Sequence, residues 1–278
     1  MASHPEPAIP PGVAGIDPTK PHSARIYDYF LGGKDNIAAD RAVAEQALAA
    51  WPGILVTARE NRAFIGRAVR FLAAEAGIDQ FLDIGSGLPT ASNVHEVAQR
   101  INPAARVVYV DNDPIVHSHA RALLASSPQG KCAYIQADLR EPDKIVGSPL
   151  VRETLDFGRP VALILAAVVH FLGPQDDPGR IVATLVGALP AGSYLAASHG
   201  TAEYPPPESA DGVSRAYSGG GVATYLRTAD EFARLVFTGL ELVPPGVIVT
   251  SKWRPEPGSG QGPRRSDVGT NAGLARKP

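Results

Sequence analysis

Cysteine, surplus charge and long apolar runs are all scarce in this chain, and each scarcity removes a class of function. Lys and Arg number 26 against 28 Asp and Glu, a formal net charge of −2 over 278 residues. Such a balance argues against a nucleic-acid partner held by bulk electrostatics. Cys132 is the sole cysteine, so neither an intrachain disulfide nor a cysteine-based zinc site can form, and no metal site is expected. It sits in "KCAYIQADL", which reads as a strand, and is expected to act as a small buried hydrophobe. No stretch of about 18 apolar residues occurs, and no basic segment followed by an apolar one opens the chain. The expectation is a soluble, cytoplasmic protein without a membrane partner. Aromatics make up only 6% of the residues, yet Tyr27, Tyr29 and Phe30 crowd into one short string, "RIYDYFLGGKDN".

The bulk is globular, with 44% hydrophobic and 19% charged residues, and the length suits one large domain or one domain with an added subdomain. Residues 1–21 are proline-rich and aperiodic and read as a flexible arm. Residues 22–77 read as an N-terminal helical lid. Ser23 can cap a first helix that stops at Gly32-Gly33, a second runs from about Ile37 to Ala50, and a third from about Thr57 to Ala76. Residues 78–255 then alternate short apolar runs ("QFLDIG", "RVVYVD", "CAYIQAD", "VALILAA", "SYLAASH") with helix-like segments. That alternation predicts an α/β, doubly wound, Rossmann-like fold with five parallel strands. "FTGLELVPPGVIVTSKW" reads as a terminal antiparallel pair, giving seven strands in all. Residues 256–278 are rich in Gly, Pro, Ser and Arg and read as a disordered tail.

The chemistry concentrates in "FLDIGSGLPT". A buried strand carries Asp83 near its end, and Gly85, Ser86 and Gly87 open a turn before a helix. Glycines there let the backbone approach a ligand, and the helix start offers unpaired amides. A dinucleotide fingerprint requires a third glycine at position 90, where Thr90 follows Pro89. A carboxylate just ahead of the loop repels phosphates but favours an ammonium group. A ligand with ribose, adenine and a cationic amino-acid end fits, and S-adenosyl-L-methionine is one. Asp111 closes the second strand 24 residues after Gly87, near the spacing at which a carboxylate accepts bonds from ribose hydroxyls, and Asn112 follows it. Asp138 and Leu139 end the third strand, placed for the adenine amino group and ring edge.

"DIGSG", "YVDNDP" and "ADL" resemble the cofactor motifs of class I S-adenosylmethionine-dependent methyltransferases. More narrowly, "PHSARIYDYFLGGKDN", "RENRAFIGRAVRFLAAEAGIDQFLDIGSGLPT", "NVHEVAQ", "VVYVDNDPIV" and the "LELVPPGV…WRPE" ending resemble a bacterial family catalogued as S-adenosyl methyltransferases, formerly a domain of unknown function. The resemblance covers roughly residues 17–256 and implies the fold and the cofactor. It supplies no acceptor. Ile37 stands where an aromatic is expected, which would alter the pocket lining. The fourth strand ends "LAAVVHFL", without the Asp/Asn-Pro-Pro-Tyr signature of enzymes that methylate amino groups of nucleobases or glutamine, which disfavours exocyclic amines and leaves oxygen, carbon, sulfur or other nitrogen acceptors open; a small-molecule acceptor is expected. The competing readings are a non-catalytic S-adenosylmethionine-binding regulatory protein and a nicotinamide-dependent oxidoreductase, the latter disfavoured by Thr90 and Asp83.

A doubly wound sheet leaves its ligand open on one side. The opening string is therefore read as a lid over it. Tyr27 and Phe30 would wall the methionine or acceptor end, where aromatic faces suit a cation. Gly32 and Gly33 would let backbone pass close to the cofactor. Its carboxylate would be held by Lys34, Arg59 or, preferably, Arg62. Tyr27, together with His170 after the fourth strand and His199 after the fifth, is a catalytic candidate, an imidazole being suited to proton transfer near neutral pH. His95 reads as packing or capping. Residues 202–221 read as a mobile loop that shapes the acceptor side.

Overall fold

The computed structural model describes residues 17–278 except 91, 124, 125, 257, 259 and 261. Most of the expected N-terminal arm thus lies outside the described residues. The three expected lid helices form: α1 (Ser23–Phe30), α2 (Ala38–Ala50) and α3 (Gly53–Ala74). The chain then runs through β1 (Gln80–Ile84), α4 (Val94–Ile101), β2 (Arg106–Asp111), α5 (Pro114–Leu123) and β3 (Lys131–Gln136). Two short helices, α6 (Pro142–Val146) and α7 (Pro149–Thr154), lead to β4 (Ala162–Ala166), α8 (Pro178–Gly187) and β5 (Tyr194–Gly200). The last elements are α9 (Pro207–Gly219), α10 (Ala229–Val236), β6 (Glu241–Leu242), β7 (Ile248–Val249) and β8 (Thr270–Arg276).

Why the strands read as continuous apolar runs is visible in their two faces. Leu82, Ile84, Val108, Val110, Leu163 and Leu165 face one core, covered by α6, α7, α8 and α10. Their alternates Phe81, Val107, Tyr109, Ala162 and Ile164 face a second core built with α3, α4 and Trp253. Burial on both sides requires apolar residues at every position. The sheet order is β3-β2-β1-β4-β5-β8-β6, with β7 also paired to β8. The first five strands are parallel, and β8 runs antiparallel to β5.

The C-terminal side corrects the sequence reading in four places. The sheet has eight strands rather than seven. Part of the segment expected to be a disordered tail is β8, whose Ala272, Leu274 and Ala275 are fully buried. The two apolar runs around Pro244-Pro245-Gly246 do not pair with each other; β6 and β7 each pair with β8. Finally, the expected mobile loop is largely α9. Pro207 occupies its first turn, where the missing N–H costs nothing. It packs so closely on α2 that a Cβ at Gly212 would lie 2.7 Å from the Ala50 Cβ.

The lid has a small core of its own, in which Ile26, Phe30, Val43, Ala44, Ala47 and Ile54 pack with Ala216 and Tyr217 of α9. It is pinned to the end of β2 by buried charge. Arg25 Nε lies 3.0 Å from Asp40 Oδ2 and its Nη1 3.6 Å from Asp113 Oδ2. Asp40 also accepts the backbone N–H groups of His22 and Ile37, each at 2.8 Å. His22 Nδ1 lies 3.1 Å from Asp113 Oδ2. The "GGKDN" string serves this packing. Asp28 accepts from Asn36 Nδ2 at 2.9 Å and from the Asp35 N–H at 3.0 Å, and a Cβ at Gly33 would collide with its carboxylate at 1.9 Å.

Candidate active site

The C-terminal ends of β1, β2 and β3 open into a cavity of about 520 Å³ roofed by α1, α3 and α9. Its cofactor-side lining brings together Arg62, Asp83, Gly85, Ser86, Gly87, Asp111, Asn112, Asp138 and Leu139, nine of the residues expected there from the sequence. Gly32 and Lys34 are exposed in the loop after α1 and do not line it, and neither does Arg59. The carboxylate-holding role expected of Lys34 and the close backbone approach expected of Gly32 are therefore not available to them. Gly32 instead sits just past the end of α1 with φ +79, the left-handed turn that releases the helix. Ile37 also lies outside the lining and acts as the residue before α2, its N–H bonded to Asp40.

The glycine loop has two distinct requirements. Gly85 (φ +74) leaves no room for a side chain, since a Cβ would meet Val168 Cγ2 at 2.5 Å. Gly87 (φ +65) faces open space, as expected where a ligand is to approach backbone. Asp111 organises this loop: its Oδ2 accepts the Gly87 N–H at 2.8 Å and its Oδ1 the Asp113 N–H at 3.0 Å. Ser86 Oγ meets Tyr134 OH at 2.6 Å, and Tyr134 stacks on Tyr109. Tyr109 OH accepts the His95 N–H at 2.9 Å and contacts its Nδ1 at 2.8 Å, so His95 packs and braces, as expected. Cys132 is half-buried beside Gln99, in keeping with a packing role.

Asp83 is the anomaly of the site. It is 7% exposed, and no hydrogen bond reaches its carboxylate among the described residues. Burial pushes its pKa up to about 7, opposed by the Arg62 charge and reinforced by Asp111. A buried carboxylate without donors is costly unless a cation joins it. Asp138 is the opposite case. Although partial burial opposes it, the Arg140 N–H at 2.8 Å, the Asn112 amide at 3.0 Å and the Arg140 guanidinium hold its carboxyl below the usual range. Across the sheet end the carboxylates thus differ in what they lack: Asp83 has the Arg62 charge nearby but no hydrogen-bond donor or salt bridge among the described residues, whereas Asp138 is already satisfied.

The three catalytic candidates separate. Tyr27 lines the cavity, but its OH donates to Ala58 O at 2.9 Å and accepts from Asn61 Nδ2 at 2.9 Å, while burial raises its pKa. It is a positioned dipole and wall. His170 also lines the cavity. Its Nδ1 accepts the Gly200 N–H at 3.3 Å, so the neutral ring carries its proton on Nε2. Burial, then the charges of His199 and Arg227, pull its pKa well below the ordinary histidine range. His170 therefore offers a donor rather than a base. His199 is fully buried and does not line the cavity. Its Nδ1 is 2.8 Å from Gly200 O and its Nε2 2.9 Å from the Arg227 guanidinium, and burial lowers its pKa to about 4. With both nitrogens engaged it is structural, which corrects the expectation of a base there.

Several lining residues escape a sequence reading. His22, Ser23 and Ala24 bring the start of α1 to the cofactor side, where His22 Nε2 lies 3.2 Å from Asn112 Oδ1. Their signal is present, because they lie inside the same distinctive N-terminal string. Ala167, at the end of β4, has a left-handed φ of +52 and is held by donating its N–H to Ser198 Oγ at 2.9 Å. Nothing in "LAAVV" announces that conformation, which costs an alanine about 1 kcal/mol or more.

A doubly wound sheet, a carboxylate ahead of a Gly-Ser-Gly turn and a second carboxylate at the next strand end define the class of S-adenosylmethionine-dependent methyltransferases. The family model described as S-adenosyl methyltransferase matches residues 12–278, and the chain belongs to that family. Its cofactor is S-adenosyl-L-methionine, and the Asp83 carboxylate without donors, the open face of Gly87 and the cavity-lining Asp111 fit that group. The chain is 48% identical to a DUF574 family protein from Streptomyces avermitilis MA-4680, covering 95% of this chain and 100% of that one with a TM-score of 0.91. It is 45% identical to a putative methyltransferase from Thermobifida fusca YX, covering 96% and 98% with a TM-score of 0.87. A SAM-dependent methyltransferase from Anabaena variabilis ATCC 29413 shares the fold at 12% identity, covering 76% of this chain and 83% of that one, with a TM-score of 0.50. None of the curated proteins matches the chain.

Proposed function

We propose that the protein transfers the methyl group of S-adenosylmethionine to a small-molecule acceptor bound over the ends of β4 and β5, in the cytoplasm. The observation that carries this reading is Asp83, a buried carboxylate with no donor, in the floor of a cavity that extends well past it toward α9. Asp83 would hold the cofactor ammonium, Arg62 its carboxylate, Asp111 the ribose and Asp138 with Leu139 the adenine side. The bound cofactor supplies an electrophilic methyl group. The chain itself contributes position and the exclusion of water, worth up to roughly 7–11 kcal/mol in favourable intramolecular models. Tyr27 and Phe30 wall the space above the strand ends, and His170 presents Nε2–H as a donor that orients the acceptor. Among the described residues no helix is long and apolar enough to cross a membrane.

The test is turnover. Purified protein with S-adenosylmethionine and fractionated metabolite extract should produce S-adenosylhomocysteine in some fractions only. Tight cofactor binding with no turnover in any fraction would contradict catalysis and leave a binding protein.

A further inference from the structure

The charged side chains around the cavity are not evenly spread. Arg62, Asp83, Asp111 and Asp138 stand at the strand ends of the cofactor side, while Arg140, paired with Asp138 and Asp176, marks the boundary, its Nη2 donating to Phe171 O at 3.4 Å. The other half lies between the α2–α3 junction, α9 and residues 221–226, and among the described residues its lining contains no Asp, Glu, Lys or Arg. Its walls are Trp51, Ile54, Phe171, Val213, Tyr217 and Val222.

The polar atoms in that half are mostly consumed by the protein itself. Tyr27 OH and Asn61 bond to each other, and Asn61 Oδ1 accepts from Ser198 Oγ. Thr57 Oγ1 accepts the Gly269 N–H at 2.9 Å, and Thr270 Oγ1 pairs with Thr250 Oγ1 at 2.9 Å. Thr224 Oγ1 is buried without a hydrogen-bond partner. An ionised ligand entering this half would give up its hydration and meet no counter-charge, a cost of several kcal/mol. A flat apolar ring would gain burial against aromatic walls, with one polar group directed to Thr224 or to His170 Nε2–H.

We propose, building on the methyltransferase reading, that the acceptor half selects an uncharged, largely aromatic small molecule with a single polar group and rejects carboxylates. Because the cofactor occupies part of the 520 Å³, the remaining space suits a compact ring system rather than a polymer chain. Part of this selectivity is set by α9, the element that the sequence presents as a loop. Val213 on α9 is a wall residue, and a charge placed there should therefore control which ligands enter.

The experiment uses full-length protein saturated with S-adenosylhomocysteine, whose neutral sulfur adds no attraction for anions. Matched probes are titrated calorimetrically: quinoline against quinoline-4-carboxylate, and indole against indole-3-carboxylate. The neutral member should bind at least tenfold more tightly in each pair. Val213→Arg should reverse the order by weakening the neutral ring and admitting the carboxylate; Ser214→Arg, on the same helix, serves if that variant does not fold. Carboxylates binding as well as their neutral partners, or no neutral ring binding at millimolar concentration, would overturn the proposal. Failure of S-adenosylhomocysteine itself to bind would instead overturn the methyltransferase reading on which it rests.

Discussion

Asp111 Oδ2 accepts the backbone N–H of Gly87 at 2.8 Å, so the carboxylate that closes β2 also shapes the glycine loop leaving β1. One residue thus braces the loop and, in the proposed cofactor pose, meets the ribose as well. Asp111→Asn retains the shape but must turn an amide donor toward either the Gly87 or the Asp113 N–H. We expect cofactor affinity to fall at least tenfold, about 1.4 kcal/mol, with the fold intact by circular dichroism.

Asp83 sets stability against binding. Its folded pKa, about 7, lies above the ordinary aspartate value, so between about pH 4 and 7 the folded state holds a proton that the unfolded state has released. Stability therefore falls as pH rises through this window and levels above it, by up to roughly 4 kcal/mol. Asp83→Asn should remove this slope and melt higher than wild type at pH 8, while losing cofactor affinity. Cofactor binding to wild type should weaken as pH falls below about 7, because the proton must leave before the ammonium can pair. Thermal melts and calorimetric titrations at pH 5, 6, 7 and 8 read both effects.

Gly85 combines a left-handed backbone with a blocked side-chain position. Gly85→Ala should destabilise by more than the roughly 1–2 kcal/mol of the backbone term alone, because its Cβ meets Val168. Adding Val168→Ala should recover the steric part but not the backbone part, and a double-mutant cycle in urea separates them.

The lid pin is a buried ion pair. Asp40→Ala leaves Arg25 facing Asp113 alone and exposes three N–H or guanidinium donors to a low-dielectric site. A loss of about 3–5 kcal/mol is expected, read by denaturant unfolding. Faster exchange of the α1 amides should accompany it.

Neither His170 nor His199 should titrate near neutrality. Imidazole resonances followed by NMR from pH 5.5 to 8 should stay in the neutral form, with His170 protonated on Nε2. A His170 midpoint near 6.5 would return it to the candidate bases.

Much of the cofactor side is legible in the amino-acid sequence, for a physical reason. It is built from strand ends and one turn, so the convergence of Asp83, Gly85, Gly87, Asp111 and Asp138 on one cavity can be read from local sequence. What is not legible depends on partners distant in sequence. Residues 270–276, "TNAGLAR", look like tail because their side chains are small, yet Gly273 must be small: a Cβ there would meet Phe237 at 2.9 Å. Gly212 looks like a helix breaker, yet it is the residue that lets α9 close on Ala50. Lys34 and Gly32 read as ligands because they are conspicuous, whereas their string folds around Asp28. The histidines likewise give no hint of tautomer, which is set by Gly200 and Arg227.

The most direct test of the central claim is calorimetric titration of the purified full-length protein with S-adenosylmethionine and, separately, with NADH. Micromolar binding of the first, no binding of the second, and loss of the first in Asp83→Asn are the predicted results. Binding of NADH, or S-adenosylmethionine affinity untouched by Asp83→Asn, would contradict the account.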